Sequence, residues 1–88
     1  MDVVSAGNES MWNYPPFEAH IEGNRLYGRG STDMKAGLMA MVIAMIELKE
    51  EGCPFNGTIK LLATVGEEVG ELGAEQLTKE GYTDDLDA

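Results

Sequence analysis

A run of eleven apolar residues, 36–46, constrains the fold of this chain more than any other feature. The run is shorter than the ~20 residues that cross a membrane, and it has the length of a helix in a protein core. Together with its polar end it predicts a helix from Met34 to about Glu51, which Gly52 and Pro54 terminate. Apolar residues nearly fill the circumference of this helix, so we expect it to be buried on most sides.

Two apolar segments flank this helix and predict strands. Met1–Val4 precedes it, and Thr58–Val65 follows it and is expected to be buried on both faces. Two strands joined through a helix favour a parallel pair with a right-handed crossover. This order predicts an α/β fold, here part of an α/β/α sandwich.

Shorter elements complete the pattern. Residues 20–22 and 25–27 flank Gly23 and Asn24, which are typical of the turn of a β-hairpin. Residues 9–19 are rich in aromatic residues and proline and predict an irregular surface loop. We expect the rings of this loop to anchor it, and a recognition loop is the alternative. A second helix is predicted from Leu72 to about Glu80, ending at Gly81, with Ala74 and Leu77 facing inward.

Length and charge limit the possible functions. With 88 residues the chain is one domain or part of one. Sixteen acidic residues against six basic ones give a net charge of −10, which argues against nucleic acid or an anionic membrane as a partner and favours cations. The one cysteine, Cys53, excludes an internal disulfide and fits a reducing compartment. No signal peptide is visible, and we expect a cytoplasmic protein.

Two adjacent carboxylates, Glu67 and Glu68, follow directly after the predicted strand 58–65. Open α/β sheets build their sites at the carboxyl ends of their strands, and the predicted topology brings Asp2 and Asp33 to the same rim. Four crowded carboxylates repel one another unless a cation lies among them, so a divalent metal is the expected occupant.

These residues also have explanations that involve no metal. The Glu pair alone fits a solvated acidic turn, and Asp33 alone fits a cap of the long helix. His20 is expected to be an exposed or hydrogen-bonded strand residue, since a single histidine does not make a zinc site.

The order of the motifs resembles the dizinc aminoacylase and carboxypeptidase family, and most closely its branch of acetylornithine deacetylases and succinyl-diaminopimelate desuccinylases. The resemblance covers nearly the whole chain. The blocks that carry it are Met1–Val4, the loop Trp12–Phe17, the sequence Gly-Arg-Gly-Ser-Thr-Asp-Met-Lys-Ala-Gly at 28–37 and Gly-Glu-Glu-Val-Gly at 66–70.

The resemblance implies a role for each carboxylate. Asp2 matches a catalytic aspartate that orients a zinc-binding histidine two positions before it, and that histidine would precede Met1. Asp33 matches the carboxylate that bridges two zinc ions, for which Co²⁺ could substitute. Glu67 matches the general base, and Glu68 matches a ligand of one zinc ion. Three expected zinc ligands, of which that histidine is one, have no counterpart among residues 1–88.

The implied function is hydrolysis of the amide bond of a small N-acylated amino acid, such as N-succinyl-diaminopimelate or N-acetylornithine, by metal-activated water. The resemblance also implies a homodimeric full-length enzyme. Residues 1–88 would then be an inactive piece of one catalytic domain, without its upstream strand, its downstream strands and its lid or dimerisation domain. The alternative is a non-catalytic acidic α/β module that binds a divalent cation or a protein partner.

Overall fold

The computed structural model describes residues 2–87 and divides into two units. The larger unit is Val4–Leu61, and the smaller unit joins residues 2–3 to residues 62–87. Strand β1 (His20–Glu22), strand β2 (Arg25–Tyr27) and helix α1 (Gly37–Glu50) belong to the larger unit. Helix α2 (Leu72–Lys79) belongs to the smaller one.

The predicted hairpin is confirmed. Strands β1 and β2 pair antiparallel, with Ile21 opposite Leu26, and Gly23 adopts a φ of 61° in the turn that joins them. The aromatic loop before the hairpin is anchored as expected. The indole N–H of Trp12 donates to the carbonyl of Ala6 at 3.0 Å.

The long helix is confirmed, but it begins three residues later than predicted. A wide helical turn, Ser31–Ala36, precedes α1, and within it Asp33 (φ −113°, ψ 100°) and Met34 (φ −132°, ψ 27°) leave helical geometry. The end is as predicted, because Gly52 adopts a φ of 81° and the N–H of Cys53 closes back on the carbonyl of Leu48 at 2.8 Å.

The predicted burial of α1 is wrong for the described residues. Met39, Ile43 and Ile46 are 51%, 50% and 51% exposed, and no residue of the helix is fully buried. A helix that is apolar on all sides needs neighbours on all sides. Among the described residues, the element that packs most against α1 is the turn directly before it.

The predicted parallel strands do not form in the described part of the chain. Residues 58–65 are irregular rather than a buried strand, and Ile59 and Val65 are 48% and 58% exposed. Of the first predicted strand, Met1 lies outside the described residues, and residues 2–4 are not in a strand. A strand requires a hydrogen-bonded neighbour, and the sheet of the described residues contains β1 and β2 alone.

The architecture of the described residues is therefore a small α/β structure with two helices and one antiparallel hairpin. The parallel sheet with its crossover, and hence the α/β/α sandwich, is not formed by these residues. Helix α2 lies where the sequence predicts it, and Gly81 follows it with a φ of 83°. Leu77 is half-buried as predicted, whereas Ala74 is exposed. No helix within residues 2–87 combines the length and apolarity that crossing a membrane requires.

Candidate functional site

The loop Gly66–Glu71, called the acidic loop below, carries the adjacent carboxylates. It enters with Gly66 in the left-handed conformation (φ 80°), continues as a single 3-10 turn over Glu67–Val69 and leaves through Gly70 (φ 107°). Glycine adopts these values without the steric cost that a side chain would add. The two glycines therefore explain why the chain reverses within a few residues of Val65.

Backbone hydrogen bonds close the acidic loop onto the start of α2. The carbonyl of Gly66 accepts the N–H of Glu71 at 2.7 Å and that of Val69 at 3.3 Å. The N–H of Gly73 donates to the carbonyl of Val65 at 3.0 Å. The side chains of Glu67 and Glu68 are exposed on this turn. The backbone is thus held in place while the carboxylates remain accessible.

Asp2 joins the acidic loop from the far end of the chain. Its Oδ1 accepts the N–H of Gly66 at 2.9 Å, a contact between residues 64 positions apart, and both residues are half-buried. The smaller unit therefore brings the carboxylate of Asp2 next to the start of the Glu67–Glu68 pair. The contact forms even though the predicted strands around these residues do not.

The charge state of Asp2 reflects this environment. Partial burial raises the pKa of its carboxyl group, whereas hydrogen bonds from the backbone N–H groups of Gly66, Asp2 itself and Glu67 lower it. The net result is a pKa below the ordinary value of 3.8. Hydrogen bonds to a carboxylate favour its charged form, so Asp2 is an anion at neutral pH.

Asp33 lies in the larger unit, in the wide turn before α1. The N–H of Lys35 donates to the carbonyl of Gly30 at 2.9 Å across this turn, and Gly30 is buried with a φ of 76°. The peptide bond between Asp33 and Met34 is cis. The carboxylate of Asp33 is exposed and does not cap α1, whose first turn has no side-chain cap. The capping explanation is therefore not supported.

His20 takes part in an aromatic cluster on the hairpin that was not predicted. The ring of Tyr14 stacks on His20, with centroids 3.7 Å apart and an interplanar angle of 12°, and Tyr27 lies 4.9 Å from Tyr14. The guanidinium of Arg29 lies 4.9 Å from the ring centre of Trp12 in a cation–π contact. The density of aromatic residues between 12 and 27 was the available signal.

No three histidine, cysteine, aspartate or glutamate side chains within residues 2–87 lie close enough together to hold a metal ion. Carboxylate oxygens are suitable donors for zinc, but a zinc site needs about four ligands and usually includes nitrogen or sulfur. The described residues therefore offer carboxylate ligands that suit a metal ion, but too few of them lie together to form a complete site.

Comparison with known proteins identifies the family. The sequence model of the family described as "Peptidase family M20/M25/M40" matches residues 1–88. The chain belongs to this family.

Bacterial relatives within the family share most of the sequence. A protein of Staphylococcus aureus strain MRSA252 named "Probable succinyl-diaminopimelate desuccinylase" is 59% identical over 87 residues, which are 99% of this chain and 21% of the relative. A protein of the same name from Staphylococcus epidermidis strain RP62A is 58% identical over 86 residues, 98% of this chain and 21% of the relative. The chain thus spans about one fifth of the length of these M20 relatives.

Proposed function

We propose that this chain is part of the catalytic domain of a metal-dependent amidohydrolase that removes the acyl group from a small N-acylated amino acid. The observation that carries the proposal is the acidic loop, in which Glu67 and Glu68 stand exposed on a turn that Asp2 and α2 hold in place. Family membership and the name of the relatives favour N-succinyl-diaminopimelate over N-acetylornithine as the substrate.

The carboxylates would divide the chemistry between them. We assign Glu67 as the general base, which accepts a proton from the attacking water and then gives it to the leaving amine as the C–N bond breaks. Asp33 and Glu68 would be metal ligands, and Asp2 would orient a histidine imidazole from behind. When bound, a pair of divalent ions, which we propose to be Zn²⁺ with Co²⁺ as a substitute, supplies an acidified water and polarises the amide carbonyl.

The proposal requires ligands beyond those described here. Residues 2–87 do not assemble three candidate ligands at one place, so the remaining donors would come from the rest of a protein about five times as long. We therefore infer that residues 1–88 alone are inactive. From the resemblance to the family, we also propose that the full-length enzyme works as a homodimer. The exposed thiol of Cys53 and the negative charge fit a cytoplasmic enzyme that does not bind nucleic acid or membranes.

The alternative from the sequence was a non-catalytic acidic α/β module that binds a divalent cation or a protein partner. A module that binds a cation by itself would need a ligand cluster within its own residues, and the described part of the chain has none. The hydrolase proposal does not have this requirement.

The decisive experiment uses the full-length protein. Hydrolysis of N-succinyl-diaminopimelate and N-acetylornithine is measured before metal removal with a chelator, after it, and after Zn²⁺ is restored. We expect activity to disappear with the metal and return with it, and to be higher on the succinylated substrate. Hydrolysis that survives complete metal removal, or an intact protein that binds no zinc and cleaves neither amide, would contradict the proposal.

A further inference from the structure

We propose that Asp2 is a positioning residue for the acidic loop, because its carboxylate holds the backbone of Gly66 and so fixes the location of Glu67. This role differs from the orientation of an imidazole, and it rests on the proposed function because Glu67 is there the general base. The contact that carries it is the hydrogen bond of 2.9 Å from the Gly66 N–H to Asp2 Oδ1.

Gly66 is the point at which the acidic loop is held from both sides. Its N–H points to Asp2, whereas its carbonyl accepts the N–H groups of Val69 and Glu71. The second set of bonds fixes the shape of the loop within itself. The bond to Asp2 links this shape to the segment at the other end of the chain, residues 2–3.

The tether matters because Glu67 directly follows Gly66. The loop is a single short turn with exposed side chains, so packing contributes little to its position. If Gly66 shifts, the backbone of Glu67 shifts with it. A displacement of ~1 Å in a catalytic group can cost about 100-fold in rate. Loss of the tether should therefore lower kcat more than it changes substrate binding.

One carboxylate has the capacity for both roles. An ionised aspartate offers two oxygens with about four lone-pair sites. The N–H groups of Gly66, Glu67 and Asp2 itself occupy about three of these sites, so one site is left for an imidazole while Asp2 holds the acidic loop. Substitution of Asp2 alone would disturb both roles, and the test must separate them.

The two roles of Asp2 are separated by removing the donor of the hydrogen bond, the Gly66 N–H, instead of its acceptor, the Asp2 carboxylate. In the full-length, metal-loaded enzyme, Gly66→glycolic acid replaces the backbone N–H by an ester oxygen and leaves the Asp2 side chain intact. The matched control is Gly7→glycolic acid, which removes an N–H that donates to Ser5 Oγ at 3.1 Å in the other unit. The ester also makes the Val65 carbonyl a weaker hydrogen-bond acceptor. A double-mutant cycle with Asp2→Ala corrects for this, because the weakening of Val65 is the same in both backgrounds.

The expected result is a loss of kcat of about 10-fold or more for Gly66→glycolic acid, with KM changed less than about twofold and the metal content unchanged. The Gly7 control should keep its kcat. In the Asp2→Ala background, the ester at Gly66 should cost less than about twofold, because its acceptor is already gone. An equal loss in both backgrounds would overturn the proposal.

Hydrogen exchange gives a readout that does not need activity. The amides of Glu67 to Val69 should exchange faster in Gly66→glycolic acid and in Asp2→Ala than in the unmodified enzyme. The variant that combines both changes should exchange no faster than either single variant. Should Asp2→Ala fail to fold, Asp2→Leu takes its place, because leucine has a similar size and no oxygen acceptor. Asp2→Asn is the conservative control, because it keeps an oxygen acceptor and should preserve the protection. If Glu67→Gln leaves hydrolysis intact, the general-base assignment fails, whereas unchanged exchange in the Gly66 ester refutes the tether alone.

Discussion

Gly73 lies so close to Val65 that no side chain fits between them. A Cβ atom built on Gly73 would lie 2.4 Å from the carbonyl oxygen and 2.8 Å from the nitrogen of Val65. Both of these are backbone atoms, which cannot rotate away as the end of a side chain can. This close approach allows the N–H of Gly73 to reach the Val65 carbonyl and brings the first turn of α2 against the entrance of the acidic loop.

We expect Gly73→Ala to destabilise the full-length protein by about 1–3 kcal/mol, the usual cost of an overpacked site. The measurement is the free energy of unfolding from denaturant titration. The matched control is Gly37→Ala in α1, where the nearest atom to the new methyl group is Met34 Cε at 3.9 Å. The control should be neutral or slightly stabilising, since alanine favours a helix more than glycine does. Equal effects of the two substitutions would contradict the close approach.

Glu67→Gln should lower kcat by about 100- to 10,000-fold, because the amide keeps the shape of the side chain but does not accept a proton from water. The metal content should stay within experimental error, since the proposal gives this residue no ligand role. Glu71→Gln is the control, as it changes another exposed carboxylate of the same loop. Steady-state kinetics and elemental analysis of the same samples test the prediction, and retained activity in Glu67→Gln would refute the assignment.

Asp33→Ala should lower the amount of bound metal. We expect the stoichiometry of bound zinc to fall by about half or more, because a bridging carboxylate would serve both ions. Glu50→Ala, at the exposed end of α1, removes a carboxylate from the same unit and should leave the stoichiometry unchanged. Zinc content after dialysis is the measurement. Full zinc content in Asp33→Ala would exclude this residue as a ligand.

The acidic loop should loosen at low pH. The pKa of Asp2 is lowered in the folded protein from its ordinary value of 3.8, so the folded state favours the charged carboxylate. This contribution to stability is fully present above the pKa of Asp2 in the unfolded state. It is lost as the pH falls through the pKa of Asp2 in the folded state. We expect exchange protection of the Glu67–Val69 amides, corrected for intrinsic rates, to be constant above about pH 5 and to decline below about pH 4.

The variant Asp2→Asn provides the control for this pH dependence, because its side chain does not titrate. Its protection of the same amides should not show the decline assigned to Asp2. Protection that falls in both proteins at the same pH would assign the effect to another group.

Features with local causes could be predicted from the sequence. The hairpin depends on Gly23 and Asn24 between two short strands, and both helices end at glycines that adopt positive φ. The acidic loop lies where the sequence predicts a loop, directly after residues 58–65, although these residues do not form the strand from which it was predicted. The start of α1 was misplaced, since the wide turn around Asp33 has helix-forming residues in a conformation that propensity does not encode.

What the sequence by itself determined is the hairpin, the two helices, the family and the candidate carboxylates, because these depend on residue types and their spacing. Tertiary structure alone decided that Asp2 binds the backbone of Gly66, that Gly73 touches Val65 and that Tyr14 stacks on His20. It also decided that residues 58–65 are irregular and that α1 is exposed. The physical reason is that a strand needs a hydrogen-bonded neighbour and an apolar face needs a surface to pack against, and a pattern of residues specifies neither partner.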